Sequence, residues 1–419
     1  MIYVLKCGMP LKNKKQIISW CLFDFANSSY SAVISAVIFP VFYANQVVGN
    51  ETGLGDLWWG RAISLSMTIV VLTSPFLGGL ADFGGIRKRL LFIYTLLCVS
   101  AVAAFSLIHR GMVIEGFTLA VLANIGMEGG FVFYNSFLPE IAEREYQGRV
   151  SAWGFAVGYA GSILALIFAL PLVNRGYFNL TWLMVAVFFS VFSIPAFLFL
   201  PKDRKDGTGI IHSASKGMKY TWNTFRGILG KKETRKFLIS YIFFEDGVNT
   251  VIVFSSIFAA ATLGFNPREL IMLYLLVQIT ALAGAFAMAR PIDVWGPKKV
   301  ISMSLLIWIA VSVLSYFVQT KSEFWVIALI AGIGLGTVQA AARAFFTQFI
   351  PLGHESEYFG IYAMVGKSSA ILGTLLFGYM SSSFGSRRPA ILSISLFFLI
   401  GLVYLQFVKG GGPNIAAKK

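Results

Sequence analysis

Apolar runs of about 20 residues, each broken by a short polar stretch, follow one another along almost the whole chain. They fall at 17–47, 57–80, 89–109, 115–138, 149–172, 180–200, 236–261, 268–289, 299–319, 324–347, 358–381 and 389–408. Each is long enough to cross a bilayer as an α-helix. The pattern predicts an all-α polytopic membrane protein with twelve transmembrane helices. The long polar segment 201–235 divides it into six-helix bundles at 17–200 and 236–408, with tails at 1–16 and 409–419. Within the linker, Met218, Trp222, Phe225 and Leu229 share one helical face, as expected of an amphipathic helix lying on the membrane surface or of a solvated linker.

The polar residues inside these runs are few and patterned. Asp24, Asn27, Ser28, Ser31 and Ser35 fall on one face of a helix. Asp246, Asn249 and Thr250 repeat the Asp-x-x-Asn-[Ser/Thr] spacing of Asp24, Asn27 and Ser28. A carboxylate at the centre of a membrane helix costs roughly 2.5–3.5 kcal/mol on insertion scales, so these stripes must face other helices or water. Two further matches run in the same order in both halves. Pro139, Glu143, Tyr146, Gly148, Gly154 and Gly161 return as Pro351, Glu355, Tyr358, Gly360, Gly366 and Gly373, and Asp82, Gly85, Arg87 and Lys88 return as Asp293, Gly296, Lys298 and Lys299. An even number of spans per copy makes these parallel repeats.

Composition and charge narrow the class. The chain has 419 residues, 57% hydrophobic and 13% charged, against about 25% charged in a soluble domain. The net charge of +15 is not read as nucleic-acid binding, because the bases lie in short loops on one side. If the N-terminus is cytoplasmic, the opposite side carries only Arg110, Arg175, Arg268, Lys321, Arg387 and Arg388 in its loops. The N-terminus does not read as a cleaved signal peptide. Cys7, Cys21 and Cys98 have no metal spacing, His109, His212 and His354 are isolated, and no phosphate-binding loop is present. Neither a metal site, a cofactor nor an enzymatic activity is expected.

Twelve spans in two parallel halves, with a basic loop after spans 2 and 8, resemble the major facilitator superfamily. Gly78-Gly-Leu-Ala-Asp82-Phe-Gly-Gly85-Ile-Arg87-Lys88-Arg89 is similar to its helix 2–3 loop motif, with Phe83 in place of the usual Arg. More narrowly, four stretches resemble the "unknown major facilitator" family, which includes autophagy-linked vacuolar amino-acid effluxers of yeast. They are Phe23 to Ser28, Asn135 through Pro139 and Gly148 to Gly154, Glu245 to Thr250, and Phe359 to Lys367. The resemblance implies that helices 1, 4, 7 and 10 line a central cavity and that 3, 6, 9 and 12 face lipid. The sequence agrees: the predicted spans 3, 6, 9 and 12 hold no Asp or Glu, and Lys or Arg only as the first residue of spans 3 and 9 (Arg89 and Lys299), whereas Asp24, Glu128, Glu245, Asp246, Arg343 and Lys367 lie inside spans 1, 4, 7, 10 and 11.

The candidate substrate-binding or coupling residues are therefore Asp24, Asn27, Asn124, Glu128, Glu245, Asp246, Asn249, Gln339, Arg343 and Lys367. Glu245 and Asp246 point about 100° apart, so only one can squarely face a cavity. Asp82, Arg87, Lys88, Arg149, Asp293, Lys298 and Lys299 are expected to brace helix ends and to act in gating. These features lead us to expect a monomeric secondary transporter in the cell membrane, working by alternating access on a small polar or zwitterionic solute, an amino acid first, with a proton or another coupling ion. Lys367 or Arg343 would hold its carboxylate, and Glu128 or Asp246 its ammonium. A scaffold without a transport cycle and a lipid flippase are the alternatives.

Overall fold

The computed structural model describes residues 13–49, 54–203, 226–228, 230–369, 373, 376–377, 379–380, 383–384 and 387–409. Most of the linker, with Met218, Trp222, Phe225 and Leu229, lies outside the described residues. The long helices are α1 (Lys14–Val48), α2 (Leu54–Gly84), α3 (Arg87–Ala104), α4 (Val113–Ser136), α5 (Gln147–Asn174), α6 (Phe178–Phe199), α7 (Lys232–Leu263), α8 (Pro267–Trp295), α9 (Pro297–Phe317), α10 (Lys321–Thr347), α11 (Glu355–Ser368) and α12 (Arg387–Gln406). Eleven of them are long and apolar enough to cross a membrane among the described residues. The exception to twelve is α11, whose continuation beyond Ser368 is described only in part.

The helices pack in two equivalent sets. In the first, α1 lies against α5 and α6, α4 against α2 and α3, and α3 against α6; in the second, α7 lies against α11 and α12, α10 against α8 and α9, and α9 against α12. Adding six to each helix number turns one contact scheme into the other. The sets meet through α2 on α11, α5 on α8, α5 on α10 and α4 on α11, a scheme that also maps onto itself under that operation. This is the approximate twofold expected of parallel repeats.

Close approach between the sets is permitted by residues without a side chain. A Cβ at Gly78 of α2 would sit 2.3 Å from the Ser356 carbonyl oxygen of α11, and one at Gly360 of α11 would sit 2.5 Å from the Ser74 carbonyl oxygen of α2. Backbone lies on the other side in both cases, so nothing can swing away. We expect Gly78→Leu to wedge α2 from α11 and hold this side of the interface open. A cysteine at Ser356, buried in the native packing, would then become reactive to a water-soluble maleimide.

One end of the molecule is the linker face. Residue 203 reaches it through Asp203, whose carboxylate accepts the backbone N–H groups of Lys88 and Arg89. The C-terminal side is tied there as well: Lys298 Nζ donates to the carbonyls of Gln406 and Val408, and Lys409 N donates to Glu233. The opposite, far face holds the capping boxes that start α8 (Asn266 with Glu269) and α10 (Thr320 with Glu323). Arg388, an exception to the charge asymmetry of the loops, donates there to the carbonyls of Tyr316 and Val318 at the end of α9. A cation at a helix C-terminus satisfies carbonyls that the helix leaves open.

Helix α1 is not uniformly α-helical. Its turns widen to π-helix over Tyr30–Val37 and Tyr43–Val48. The widening begins just beyond Asp24, Asn27 and Ser28 and displaces the predicted Ser31 and Ser35 stripe relative to an ideal helix.

Candidate functional site

The linker face is sealed by two carboxylates that each cap a helix of the other set. Asp82, at the end of α2, accepts the backbone N–H groups of Ser356 (3.1 Å) and Glu357 (2.9 Å) in the first turn of α11. Asp293, at the end of α8, accepts the N–H of Arg149 (3.0 Å) in the first turn of α5. Open N–H groups and the positive end of the helix dipole favour an anion at both places. The arginines are arranged differently. Arg87 bridges Asp82 (3.1 Å), Glu140 (3.0 Å) and Glu355 (2.9 Å), and donates to Ser356 Oγ and the Ser136 carbonyl. At the other corner Arg149 pairs with Asp293 at 3.2 Å from α5 itself.

Deeper in, Arg343 of α10 is driven into the first set. Its Nε donates to Ser151 Oγ (2.9 Å), Nη2 to the Ser151 carbonyl (2.7 Å) and Nη1 to Asn135 Oδ1 (3.0 Å). The guanidinium lies 4.6 Å from the Trp20 ring centre and 4.1 Å from that of Phe155. Asp24 Oδ2 stands 3.8 Å from Nη1 and accepts the Tyr134 hydroxyl at 3.0 Å. The Arg343 side chain is 3% exposed. A guanidinium has a flat five-donor fork, and here three of the five donors are hydrogen-bonded while the rings of Trp20 and Phe155 lie within stacking distance. Arg343 is thus a bolt between α10 and the α1, α4 and α5 helices, buried away from any ligand in this state.

At mid-membrane the halves touch through a second ion pair. Lys367 of α11 meets Glu128 of α4 at 2.7 Å. Lys367 lies twelve residues past the start of α11, about 18 Å along the helix axis. Its side chain is still 34% exposed, against 14% for Glu128. A lysine at that depth with a third of its surface open reaches the space between the helix sets. Glu245 of α7 is partly exposed and within electrostatic reach of the same ammonium. The neighbouring Asp246 is buried (1% exposed), and both its oxygens accept the Gly373 N–H at 2.9 Å.

Tyr159 of α5 donates to Gln339 of α10 at 3.0 Å. Among the described residues, the hydrogen bonds and ion pairs that join the two sets run from the linker face up to Tyr159–Gln339 and Glu128–Lys367, and stop there.

The predicted residues therefore separate into groups. Glu128 and Lys367 meet across the sets, Glu245 lies within electrostatic reach of Lys367, and Gln339 of α10 bonds Tyr159 of α5. Asp24 and Arg343 are brought together but buried. Asn27 is buried on the next turn from Asp24. Asn124 is also buried and links α4 to α2 through Ser66 Oγ (2.7 Å), inside the first set rather than between the two. Asn249, partly buried, faces Ser369 Oγ at 3.5 Å. Of the predicted gating residues, Asp82, Arg87, Arg149 and Asp293 cross between the sets. Lys88 and Lys298 do not: Lys88 Nζ bonds the Leu200 carbonyl at the end of α6 (2.8 Å), and Lys298 bonds the end of α12. Each ties two helices of its own set. Lys299 is exposed and touches neither interface.

Sequence reasoning passed over Trp20, Tyr134, Tyr159, Ser151, Asn135, Glu140 and Glu355 as site residues. Glu355 had a signal, since it occupies the repeat position of Glu143. The aromatic residues had none, because a tyrosine in an apolar run reads as packing. Among the described residues, no group of three His, Cys, Asp or Glu side chains is placed to hold a metal.

Comparison with known proteins places this architecture. Residues 61–410 match the family described as "Vacuole effluxer Atg22 like". The chain is 28% identical over 413 residues to the uncharacterized MFS-type transporter YxiO of Bacillus subtilis (strain 168), covering 94% of this chain and 95% of that protein. It is 22% identical over 440 residues to autophagy-related protein 22-1 of Penicillium rubens, covering 82% and 74%. Among solved structures it resembles the human organic anion transporter MFSD10, with a TM-score of 0.75 at 13% identity over 95% of this chain and 100% of that one. The last likeness shows the fold alone; the matched family and the MFS-type relative mark a transporter rather than an enzyme. A multi-pass membrane protein with this pseudo-twofold, carrying the family match over most of its length, belongs to the Atg22-like family of the major facilitator superfamily.

Proposed function

We propose that the protein is a secondary active transporter of a small zwitterionic solute, an amino acid being the leading candidate, bound between Glu128, Glu245 and Lys367. The observation that carries this reading is the Lys367–Glu128 pair at 2.7 Å, held at mid-membrane by helices of opposite sets yet partly open. An ion pair so placed is costly as mere scaffolding. It offers one cation for a carboxylate and, with Glu245, two anions for an ammonium. When the solute's carboxylate takes Lys367 and its ammonium takes Glu245, Glu128 is left without its cation, and this is the place a coupled proton would fill.

On this reading, bodies 17–200 and 236–408 rock about the site. The charge bias of the loops favours a cytoplasmic linker face, with the tails 1–16 and 409–419 and the linker 201–235 on that side. The sealed linker face then corresponds to an outward-facing state of a monomer in the cell membrane. The family's description as effluxers favours export. Arg343, which the sequence offered as a carboxylate ligand, is assigned instead to closure, because it is buried and three of its donors already bond the first helix set.

The test is a thermal-shift screen of the purified protein against amino acids, peptides, sugars, nucleosides and organic cations, followed by counterflow in proteoliposomes. A ligand at 100 times its Kd stabilises the folded state by about 2.7 kcal/mol. We expect at least one amino acid to raise the Tm, and Lys367→Met to remove the shift. Stabilisation by sugars or cations alone, or an undiminished amino-acid shift in Lys367→Met, would contradict the assignment.

A further inference from the structure

A second site lies on the far face of the first helix set, away from the interface. A cavity of about 830 Å³ opens between the end of α1 (Phe42, Asn45, Gln46, Val47), the α3–α4 connection (Ile108 to Arg110) and the start of α6 (Gly176 to Leu180). Its lining contains the guanidinium of Arg110, the imidazole of His109, four neutral polar side chains, Asn45, Gln46, Tyr177 and Asn179, and no carboxylate. Among the described residues, Arg110 is exposed at the cavity and has no hydrogen-bond or ion-pair partner, so its guanidinium donors are open to an anion.

The rest of the lining is apolar, with Phe42, Val47, Ile108, Phe178 and Leu180. Beyond the rim the apolar surface continues down the outside of the bundle through Leu107, Ile114 and Leu183, all exposed. These residues sit at the ends of α3, α4 and α6, where the bilayer's hydrocarbon gives way to headgroups. A basic pocket at headgroup level that opens onto an apolar wall matches the two ends of one kind of molecule.

We infer that this cavity holds the phosphate headgroup of an anionic phospholipid from the far-face leaflet, with Arg110 on the phosphate and an acyl chain along Leu107 and Leu183. The neutral polar side chains suit the hydroxyls of a headgroup such as glycerol. The inference is independent of which solute the transporter carries, since no residue of the central site takes part.

Native mass spectrometry and thermal unfolding of the detergent-purified full chain test it, using phosphatidylglycerol, phosphatidylcholine, glycerol phosphate and inorganic phosphate as probes. Phosphatidylglycerol is expected to remain bound at one copy more than phosphatidylcholine and to raise the Tm. Arg110→Gln should lose that copy and at least about tenfold in apparent affinity, the worth of one charge-assisted hydrogen bond. Arg268→Gln, an exposed arginine on the same face of the other helix set, should lose neither. Equal retention of both lipids, an unchanged result in Arg110→Gln, or a Tm rise reproduced by inorganic phosphate or glycerol phosphate alone would each overturn the assignment.

Discussion

Lys367→Met is expected to lower the apparent affinity for the transported solute by about 10- to 100-fold, the worth of a hydrogen bond to a charged group at 1.5–3 kcal/mol. The folded protein should survive. Lys367 is one-third exposed and Glu128 is not fully enclosed, so breaking their pair costs between an exposed ion pair and a fully buried one, about 1–3 kcal/mol. The double variant Lys367→Met with Glu128→Gln separates the two effects. It removes the orphaned carboxylate, so stability should return toward wild type while solute binding stays lost. Glu128→Gln alone should keep binding but release Lys367, and exchange should then proceed without a pH gradient's influence. Measured under an imposed gradient, transport that stays as gradient-dependent as wild type in both Glu128→Gln and Glu245→Gln would remove these carboxylates as the coupling site.

The second large effect is at Arg343. Removing one member of a buried pair costs about 3–5 kcal/mol, because the remaining charge has no partner. Arg343→Met strands Asp24, frees Asn135 and Ser151 and empties the slot between Trp20 and Phe155. The Tm should fall by several degrees. Part of the loss should appear as opening of the linker face, since every bond Arg343 makes there crosses between the sets. Arg343→Lys should rescue little, as an ammonium cannot fill three directed bonds and two ring stacks together. Arg343→Met with Asp24→Asn should recover a substantial share of the Tm. Equal Tm values for wild type and Arg343→Met would show that the bolt is not under load.

Much of the fold was readable because a membrane leaves few choices. Twelve apolar runs and a positive-charge bias are imposed by the bilayer itself, and the repeated Asp-x-x-Asn and Asp-x-x-Gly patterns marked the parallel halves. The site was readable only as a set of helices. Sequence spacing put Glu245 and Asp246 side by side but could not say that Asp246 turns inward to the Gly373 amide while Glu245 stays near Lys367. It matched Lys298 to Arg87 by position, yet Lys298 does the work of Lys88, because α9 begins at Pro297 and the helix register shifts by one residue. Arg343 read as a cavity cation because its partners, Trp20, Tyr134 and Ser151, carry no charge to betray them. Pairings across two halves depend on how the bundles meet, and that information is in no local stretch.

Accessibility of single cysteines to a membrane-impermeant thiol reagent tests the central claim most directly: a water-filled space between the two sets reaches the mid-membrane charges from the far face. In a protein lacking Cys7, Cys21 and Cys98, the variants Ser31→Cys and Asn249→Cys sit on partly exposed positions of α1 and α7, and Val187→Cys sits 61% exposed on the outside of α6. Reagent added at the far face should modify the first two and leave Val187→Cys, which faces acyl chains, unmodified. Reaction at Val187→Cys with none at residues 31 and 249 would place water on the outside and lipid where the site should be.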